Sequence, residues 1–292
     1  MAFKTPAQIE EAMINGGKGR ANQTVLSTLI LGFLAGAYIA FGGMLAIRAT
    51  ATMPAEVWGS LSKFVFGGVF PVGLLLVIVG GADLFTGNCV TVPAALYSGN
   101  IKAGGLAKSW ILSYIGNFIG SVFVAFFLGY LTGLLMEPVK VDGVVTAMPW
   151  AANAVKIANA KVGLSFGEAF WRAVGCNWLV CLAVWLAASA DDIIGKAIAI
   201  WFPIMAFVTI GFEHSVANMA FIPMGIFAGN SAAYQALADA PVLKATWSSM
   251  FVNNLLPVTL GNIVGGALFV AGLYYMVYYK GKAAPKNVSV GK

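Results

Sequence analysis

Long apolar stretches without a charged residue alternate along the chain with short polar connections. A helix that crosses the hydrocarbon core of a bilayer needs about 20 mostly apolar residues. The pattern therefore predicts six membrane-spanning helices, of which the second and fifth, with 19 and 16 uncharged residues, are expected to be irregular. The six uncharged runs cover residues 21–47, 64–82, 109–136, 173–190, 197–212 and 245–279.

The second and fifth runs end in polar interruptions at corresponding places in the two halves of the chain. The first interruption reads GGADLFTGN (80–88) and the second GFEHSVANM (211–219). The third and sixth runs also share a pattern, GNFIG from Gly116 and GNIVG from Gly261. Three spans per half put the halves in opposite orientations, so the sequence predicts an all-α membrane protein with an inverted 3+3 repeat. Interrupted helices at matched positions indicate a substrate site near the bilayer midplane.

The composition is typical of a membrane protein. Of the 292 residues, 60% are hydrophobic and only 10% are charged, whereas soluble domains carry about 25% charged residues. Ten of the 17 Lys and Arg residues fall on the side of the N-terminus. This bias predicts a multi-pass protein of the cell membrane, surrounded by lipid, with both termini cytoplasmic.

Charge and cysteine usage exclude other classes of partner. The net charge of +6 is spread out and forms no basic stripe interleaved with aromatics, so no nucleic-acid partner is expected. Cys89, Cys176 and Cys181 lie in apolar surroundings without metal-ligand spacing. We interpret them as core residues and expect no metal and no cofactor.

Residues 1–20 are polar and resemble a short helix, not a cleavable signal. Thr5 is a predicted N-cap, Pro6 suits the first helical position, and Gln8 completes a capping box. Gly16-Gly17 predicts the end of this helix. The expected organisation is an amphipathic cytoplasmic helix (1–20), a six-helix channel domain (21–280) and a cytoplasmic tail (281–292).

The two interruptions carry the ionisable groups that an apolar segment would not hold without a reason. We expect Asp83 and Glu213 to accept backbone N–H bonds at the broken helix ends. His214 is the only histidine, and an ionisable residue inside a membrane is a functional-site hypothesis. Thr86 is expected to bond either the substrate or His214. The remaining polar candidates leave two interpretations open, helix–helix hydrogen bonding or substrate contact; they are Asn117, Asn177, Asn218 and Asn262.

Four motifs resemble the formate/nitrite transporter family. They are GGADLFTGN (80–88), CNWLVCLAVW (176–185), GFEHSVANM with IPMGI (211–226), and NLLPVTLGNIVGG (254–266). The resemblance implies an aquaporin-like fold, a homopentamer with one pore in each protomer, and passage of small monovalent anions or their acids. Formate is the expected substrate, with nitrite and hydrosulfide as alternatives.

The resemblance also implies roles for individual residues. Several of these residues are apolar and would otherwise be interpreted as ordinary core residues. Phe70 and Phe207 would form an outer constriction, and Leu74, Leu84 and Phe85 an inner one. Thr86 and His214 would lie between the two constrictions. Lys161 would draw anions into the vestibule. Glu213, Asn177 and Asn218 would support the histidine end of the site, and Asn262 would reach the pore from the sixth span.

Two routes would let an anion pass between apolar constrictions, where an unpaired charge is costly. His214 either donates a proton, so that a neutral acid crosses, or is itself protonated and pairs with the anion. The sequence-based hypothesis is the first route, in which protons are a partner and flux depends on pH.

Other classes of protein fit the sequence less well. A water or glycerol channel would need two matched pore asparagine motifs, where this chain has ADLFT and FEHSVAN. An intramembrane enzyme would need a nucleophile–base set or metal ligands, and one histidine with scattered cysteines does not provide these. No catalytic residues are therefore predicted.

Overall fold

The computed structural model describes residues 3–280, so the tail predicted for 281–292 lies outside the described residues. Within that range six helical stretches are long and apolar enough to cross a membrane, which confirms the six predicted spans. They run over Val25–Thr50, Leu61–Gly80, Ala103–Tyr130, Phe166–Ser189, Ile193–Ile210 and Trp247–Tyr278. The division into three domains and the inverted orientation of the two halves stay predictions.

The α-helices, in chain order, are α1 (Pro6–Asn22), α2 (Val25–Thr50), α3 (Ala55–Trp58), α4 (Leu61–Val69), α5 (Val72–Gly80), α6 (Phe85–Tyr97), α7 (Ala103–Phe123), α8 (Pro149–Val162), α9 (Phe166–Ser189), α10 (Ile193–Ile210), α11 (Ser215–Gly229), α12 (Ala232–Gln235), α13 (Trp247–Ser249), α14 (Leu256–Ile263) and α15 (Leu273–Tyr278). Wider π-helical turns continue or join these helices at Val124–Tyr130, Met250–Leu255 and Val264–Gly272, and a short 3₁₀ turn covers Leu134–Met136. Two strands that the hydropathy pattern did not predict, β1 (Val139–Val141) and β2 (Val144–Ala147), form an antiparallel hairpin.

In both interruptions one helix ends at a glycine, and the next helix begins four residues later. Gly81 follows α5 with φ 78°, and Gly211 follows α10 with φ 91°. Both angles lie in the left-handed region, which costs glycine little because it has no Cβ. The chain then runs through a short non-helical link into the half-length helices α6 and α11. These glycines allow α5 and α10 to end where each interruption begins.

Glycines of the two GNxxG patterns let pairs of helices approach until their backbones touch. A Cβ at Gly120 on α7 would overlap the carbonyl oxygen of Phe33 on α2. A Cβ at Gly265 would overlap the carbonyl oxygen of Val174 on α9. Close packing of this kind replaces the hydrophobic driving force that lipid removes.

The N-terminal helix is longer than predicted, because α1 continues past Gly16-Gly17 to Asn22. Tertiary contact overrides the weak helix propensity of glycine here. A Cβ at Gly17 would overlap the backbone of Thr91 on α6, so the glycine allows α1 to lie directly on α6. The predicted start is confirmed, since the Gln8 side chain accepts the Thr5 N–H at 2.8 Å.

Both ends of α1 are anchored to the membrane domain. At its start the Lys4 Nζ donates to Asp191 at 2.7 Å. At its end the Arg20 guanidinium donates to the Ala82 carbonyl at 3.0 Å. Between these anchors Glu10 is 1% exposed, and neither of its carboxylate oxygens has a hydrogen-bond partner among the described residues.

The buried carboxyl group of Glu10 predicts that acid strengthens the docking of α1. Burial raises the pKa of Glu10 from 4.5 to about 7, because desolvation favours the neutral form. Docking is therefore strongest while Glu10 is protonated and weakens as the pH rises from about 5 to about 8. Hydrogen exchange of residues 6–22, corrected for the intrinsic effect of pH, measures this.

The matched variants are Glu10→Gln and Glu11→Gln, since Glu11 is the exposed neighbour on the same helix. Glu10→Gln is expected to keep α1 protected throughout this pH range, whereas Glu11→Gln behaves as the wild type does. If the hydrogen-exchange protection of α1 depended on pH equally in the wild type and in Glu10→Gln, the prediction would be contradicted.

Candidate functional site

Two asparagines satisfy the backbone groups that the interruptions leave free. Asn117 accepts the Phe85 N–H at 2.9 Å and donates to the carbonyls of Gly32 and Asp83 at 2.8 and 2.9 Å. At the second interruption a single side chain makes the same three kinds of bond. Asn262 accepts the N–H of Ser215 at 2.9 Å and donates to the carbonyls of Ala173 and Glu213 at 2.9 and 3.0 Å. Both asparagines are fully buried, and their amides bond the backbone on both sides of each interruption.

The expectation that Asp83 and Glu213 accept backbone N–H bonds is wrong. The amides of Asn117 and Asn262 already serve the backbone, which leaves the carboxylates to pair with side chains. Glu213 accepts from Lys161 Nζ at 3.0 and 3.2 Å. It also accepts from Asn218 at 2.7 Å and from Asn254 at 3.2 Å. The result is a neutral, hydrogen-bonded cluster in place of an isolated charge.

Asp83 sits in the same kind of cluster at the first interruption. Its carboxylate accepts from the Asn88 amide and lies 3.4 Å from the Arg20 guanidinium. Asp83 and Asn88 are five residues apart, as are Glu213 and Asn218, and each carboxylate has one cation. The sequence reasoning missed Arg20 and Asn254. Arg20 could have been found in the sequence, because Asp83 is a second carboxylate in an apolar segment and a buried carboxylate needs a cation of its own.

His214 is fixed by both of its ring nitrogens. Nδ1 accepts the Ala217 N–H at 2.9 Å, which caps the first turn of α11. Nε2 lies 2.8 Å from the Thr86 Oγ1, which links the second interruption to the first. Because Nδ1 acts as an acceptor, the neutral ring carries its proton on Nε2 and donates it to the threonine oxygen. This bond is one of the two contacts expected of Thr86, the other being with the substrate.

Asn177 fixes the backbone of Thr86 from α9. Its amide donates to the Thr86 carbonyl at 3.2 Å and to the Asn262 carbonyl at 2.7 Å. The Thr86–His214 pair is therefore held from the side by the same network that satisfies the interruptions. Asn177 contacts this pair through the backbone and lines neither of the cavities described next.

A cavity of about 410 Å³ leads to His214 from one face of the protein, and we call it the Lys161 cavity. Besides Lys161 its lining includes both phenylalanines of the predicted outer constriction, Phe70 and Phe207. The Phe70 and Phe207 ring centroids are 6.1 Å apart, and that of Phe207 is 5.9 Å from that of His214. The two rings thus narrow the approach to the histidine.

A second cavity, of about 180 Å³, reaches the first interruption, and we call it the Arg20 cavity. Two residues of the predicted inner constriction, Leu74 and Leu84, line it. The third, Phe85, is buried against α7, with its ring 4.9 Å from that of Tyr114, and does not line the cavity. The α1 residues Ala12, Met13, Gly16 and Arg20 line the same cavity, so the N-terminal helix covers this approach.

Six membrane-spanning helices, two half-length helices that meet at a histidine, and a cavity leading to each interruption define a membrane transport protein for a small solute. The chain belongs to the formate/nitrite transporter family, whose model matches residues 7–276. It is therefore a transporter or channel and not an enzyme.

Individual relatives and solved structures agree with this assignment over almost the whole chain. A probable formate transporter from Methanothermobacter thermautotrophicus is 48% identical over 294 residues, covering 96% of this chain and 98% of the relative. The formate channel BtFdhC of Bacillus thuringiensis is 42% identical, covering 96% and 98%. A solved pentameric formate channel with formate bound has a TM-score of 0.74 at 32% identity, covering 88% and 98%.

Removing the cation of the Glu213 cluster is expected to destabilise the protein more than removing both charges. Lys161→Met leaves the Glu213 carboxylate, 4% exposed, without its cation, and an uncompensated buried charge costs about 3–5 kcal/mol. In the double variant Lys161→Met/Glu213→Gln the charge is gone and most of the stability returns. Thermal unfolding in detergent micelles measures both variants.

The control for this pair is Lys156→Met, because Lys156 is exposed on the same helix, α8. It is expected to unfold within about 2 °C of the wild type, as surface substitutions do. A double variant less stable than Lys161→Met alone would show that the pair does not act through charge neutralisation.

Proposed function

We propose that this protein passes formate across the cell membrane, with one pathway in each protomer. The observation that supports this best is the Thr86–His214 pair, which puts two polar side chains behind the Phe70–Phe207 narrowing. The names of the relatives, which include formate channels, support formate as the substrate. Nitrite and hydrosulfide, which are also small monovalent anions of weak acids, are the alternatives.

In this proposal the solute crosses two apolar narrowings in its neutral form. Phe70 and Phe207 form the first, and Leu74 and Leu84 form the second, with Phe85 backing it. A bare anion would lose its hydration at each narrowing, at a cost that a few hydrogen bonds do not return. Between them the His214 Nε2–H offers a donor, and the Thr86 hydroxyl can both donate to and accept from a carboxylic acid.

The proposal departs from the sequence-based hypothesis on the source of the proton. Since His214 Nδ1 accepts the Ala217 N–H, a second ring proton would replace that acceptor with a donor and break the cap of α11. The N-terminus of a helix also disfavours positive charge. We therefore assign the proton to water at the mouth of the pathway, and His214 acts as a neutral N–H donor that orients the acid.

We also propose the assembly and the orientation. A homopentamer is supported by the solved relative that is named as pentameric. Cytoplasmic termini are supported by the distribution of Lys and Arg, which puts α1 and the Arg20 cavity on the cytoplasmic side and the Lys161 cavity outside. Crosslinking in native membranes tests the first proposal, and labelling of single cysteines with an impermeant reagent tests the second.

His214→Asn is expected to keep the pH profile of formate flux with a rate within roughly tenfold of the wild type. Asparagine retains an acceptor for the Ala217 N–H and an amide donor. Phenylalanine has neither an acceptor nor a donor, so His214→Phe is expected to lower the rate of formate flux roughly a hundredfold. Uptake of labelled formate into proteoliposomes at several external pH values measures both. If His214 relayed protons, His214→Asn would flatten the pH profile.

Competition between anions distinguishes the substrates. Uptake of labelled formate is measured with equal, increasing concentrations of unlabelled formate, nitrite or hydrosulfide in separate experiments. Formate is expected to compete at the lowest concentration. Stronger competition by nitrite or hydrosulfide would reassign the substrate, and stopped-flow swelling without formate uptake would favour a channel for neutral solutes.

A further inference from the structure

The lining of the Lys161 cavity carries more positive charge than Lys161 alone supplies. Its charged lining residues are Lys63, Lys161, Arg172 and Glu213. They come from different elements, with Lys63 on α4, Lys161 on α8, Arg172 on α9, and Glu213 in the link before α11. Three cations and one carboxylate therefore surround the path to His214.

Lys161 does not supply the net charge of this cavity. Its Nζ lies 3.0 Å from the carboxylate of Glu213, and its side chain is only 14% exposed. A cation and an anion this close act at a distance as a dipole, whose field falls off faster than that of a charge. The excess of two positive charges belongs to Lys63 and Arg172.

Lys63 and Arg172 are exposed, and neither forms an ion pair within the part of the chain that the structure describes. The nearest carboxylate along α9 is that of Glu168, one turn before Arg172. Its Oε2 accepts from the N–H and the hydroxyl of Ser165 instead, and Glu168 does not line the cavity. The charge of Arg172 acts on Glu168 only weakly and without an ion pair, so both cations remain able to attract a solute.

We infer that Lys63 and Arg172 are the residues that capture the anion at the mouth of the Lys161 cavity, whereas Lys161 holds Glu213 in place. The ligand is a small monovalent anion, formate under the proposed function on which this inference rests. Cations around a concave, low-dielectric site raise the local concentration of anions, and this effect weakens with ionic strength. Capture precedes the step at which the acid becomes neutral.

The test compares Lys63→Gln, Arg172→Gln and the double variant with the wild type. Each lost charge is expected to raise the formate concentration that gives half-maximal uptake roughly threefold, and the double variant roughly tenfold, at low ionic strength. The maximal rate is expected to stay within about twofold, because the narrowings and His214 are unchanged. At about 0.5 M of an impermeant salt the difference between wild type and double variant shrinks to less than about twofold.

Two controls separate capture from general changes of charge or structure. Lys156→Gln removes an exposed cation of α8 that does not line the cavity, and it is expected to change half-saturation less than twofold. Arg172→Lys keeps the charge and is expected to restore half-saturation to within about twofold of the wild type. An Arg172→Lys variant as poor as Arg172→Gln would overturn capture by charge.

Right-side-out and inside-out vesicles are both measured, so the result does not depend on the proposed orientation. The shift in half-saturation is expected for only the vesicles that present the Lys161 cavity to the labelled formate. A double variant that matches the wild type in both kinds of vesicle would overturn this inference and leave the proposed function standing. Wild-type vesicles without formate uptake would overturn the proposed function itself.

Discussion

The structure depends on satisfying the backbone groups that two interrupted helices expose inside a membrane. Lipid offers no hydrogen bonds, and each unpaired N–H or C=O group there costs several kcal/mol. Asn117 and Asn262 resolve this with one side chain each, which accepts one N–H and donates to two carbonyls. An amide is suited to the task because it carries an acceptor and two donors on one planar group. The two asparagines thereby hold the interruptions that carry Thr86 and His214.

The two buried ion pairs follow from the same constraint. Since the asparagines serve the backbone, Asp83 and Glu213 are left to be neutralised by Arg20 and Lys161. A buried pair is weak evidence for stability, because desolvation opposes the Coulomb attraction. These pairs instead join separate segments. Arg20 attaches α1 to the first interruption, and Lys161 attaches α8 to the second. Each pair therefore has a structural role.

The sequence predicted the parts of the fold that depend on local pattern. Uncharged runs located all six spans, and matched polar interruptions located the site, because the membrane imposes its constraint on every residue in turn. It did not predict the partner of Glu213 at Asn254, or the extension of α1 through Gly17 onto Thr91. Those depend on which segments meet in space. The assignment of carboxylates to backbone N–H groups was wrong for the same reason, since Asn117 and Asn262 reach the interruptions from other helices.

The two interruptions differ in the residue that precedes each half-length helix, and this residue determines the chemistry of the candidate site. Leu84 and His214 both follow the paired carboxylate and both occupy the N-cap position of the next half-helix. The histidine caps its helix with Nδ1 and reaches Thr86 with Nε2, whereas the leucine has no polar atom and lines the Arg20 cavity. The two interruptions are thus built alike, but the second presents a polar side chain at this position and the first an apolar one. In the proposed function, a solute that comes from the Lys161 cavity meets its hydrogen-bonding partner after one narrowing and before the second, and this order favours a species that can exchange its charge for a hydrogen bond.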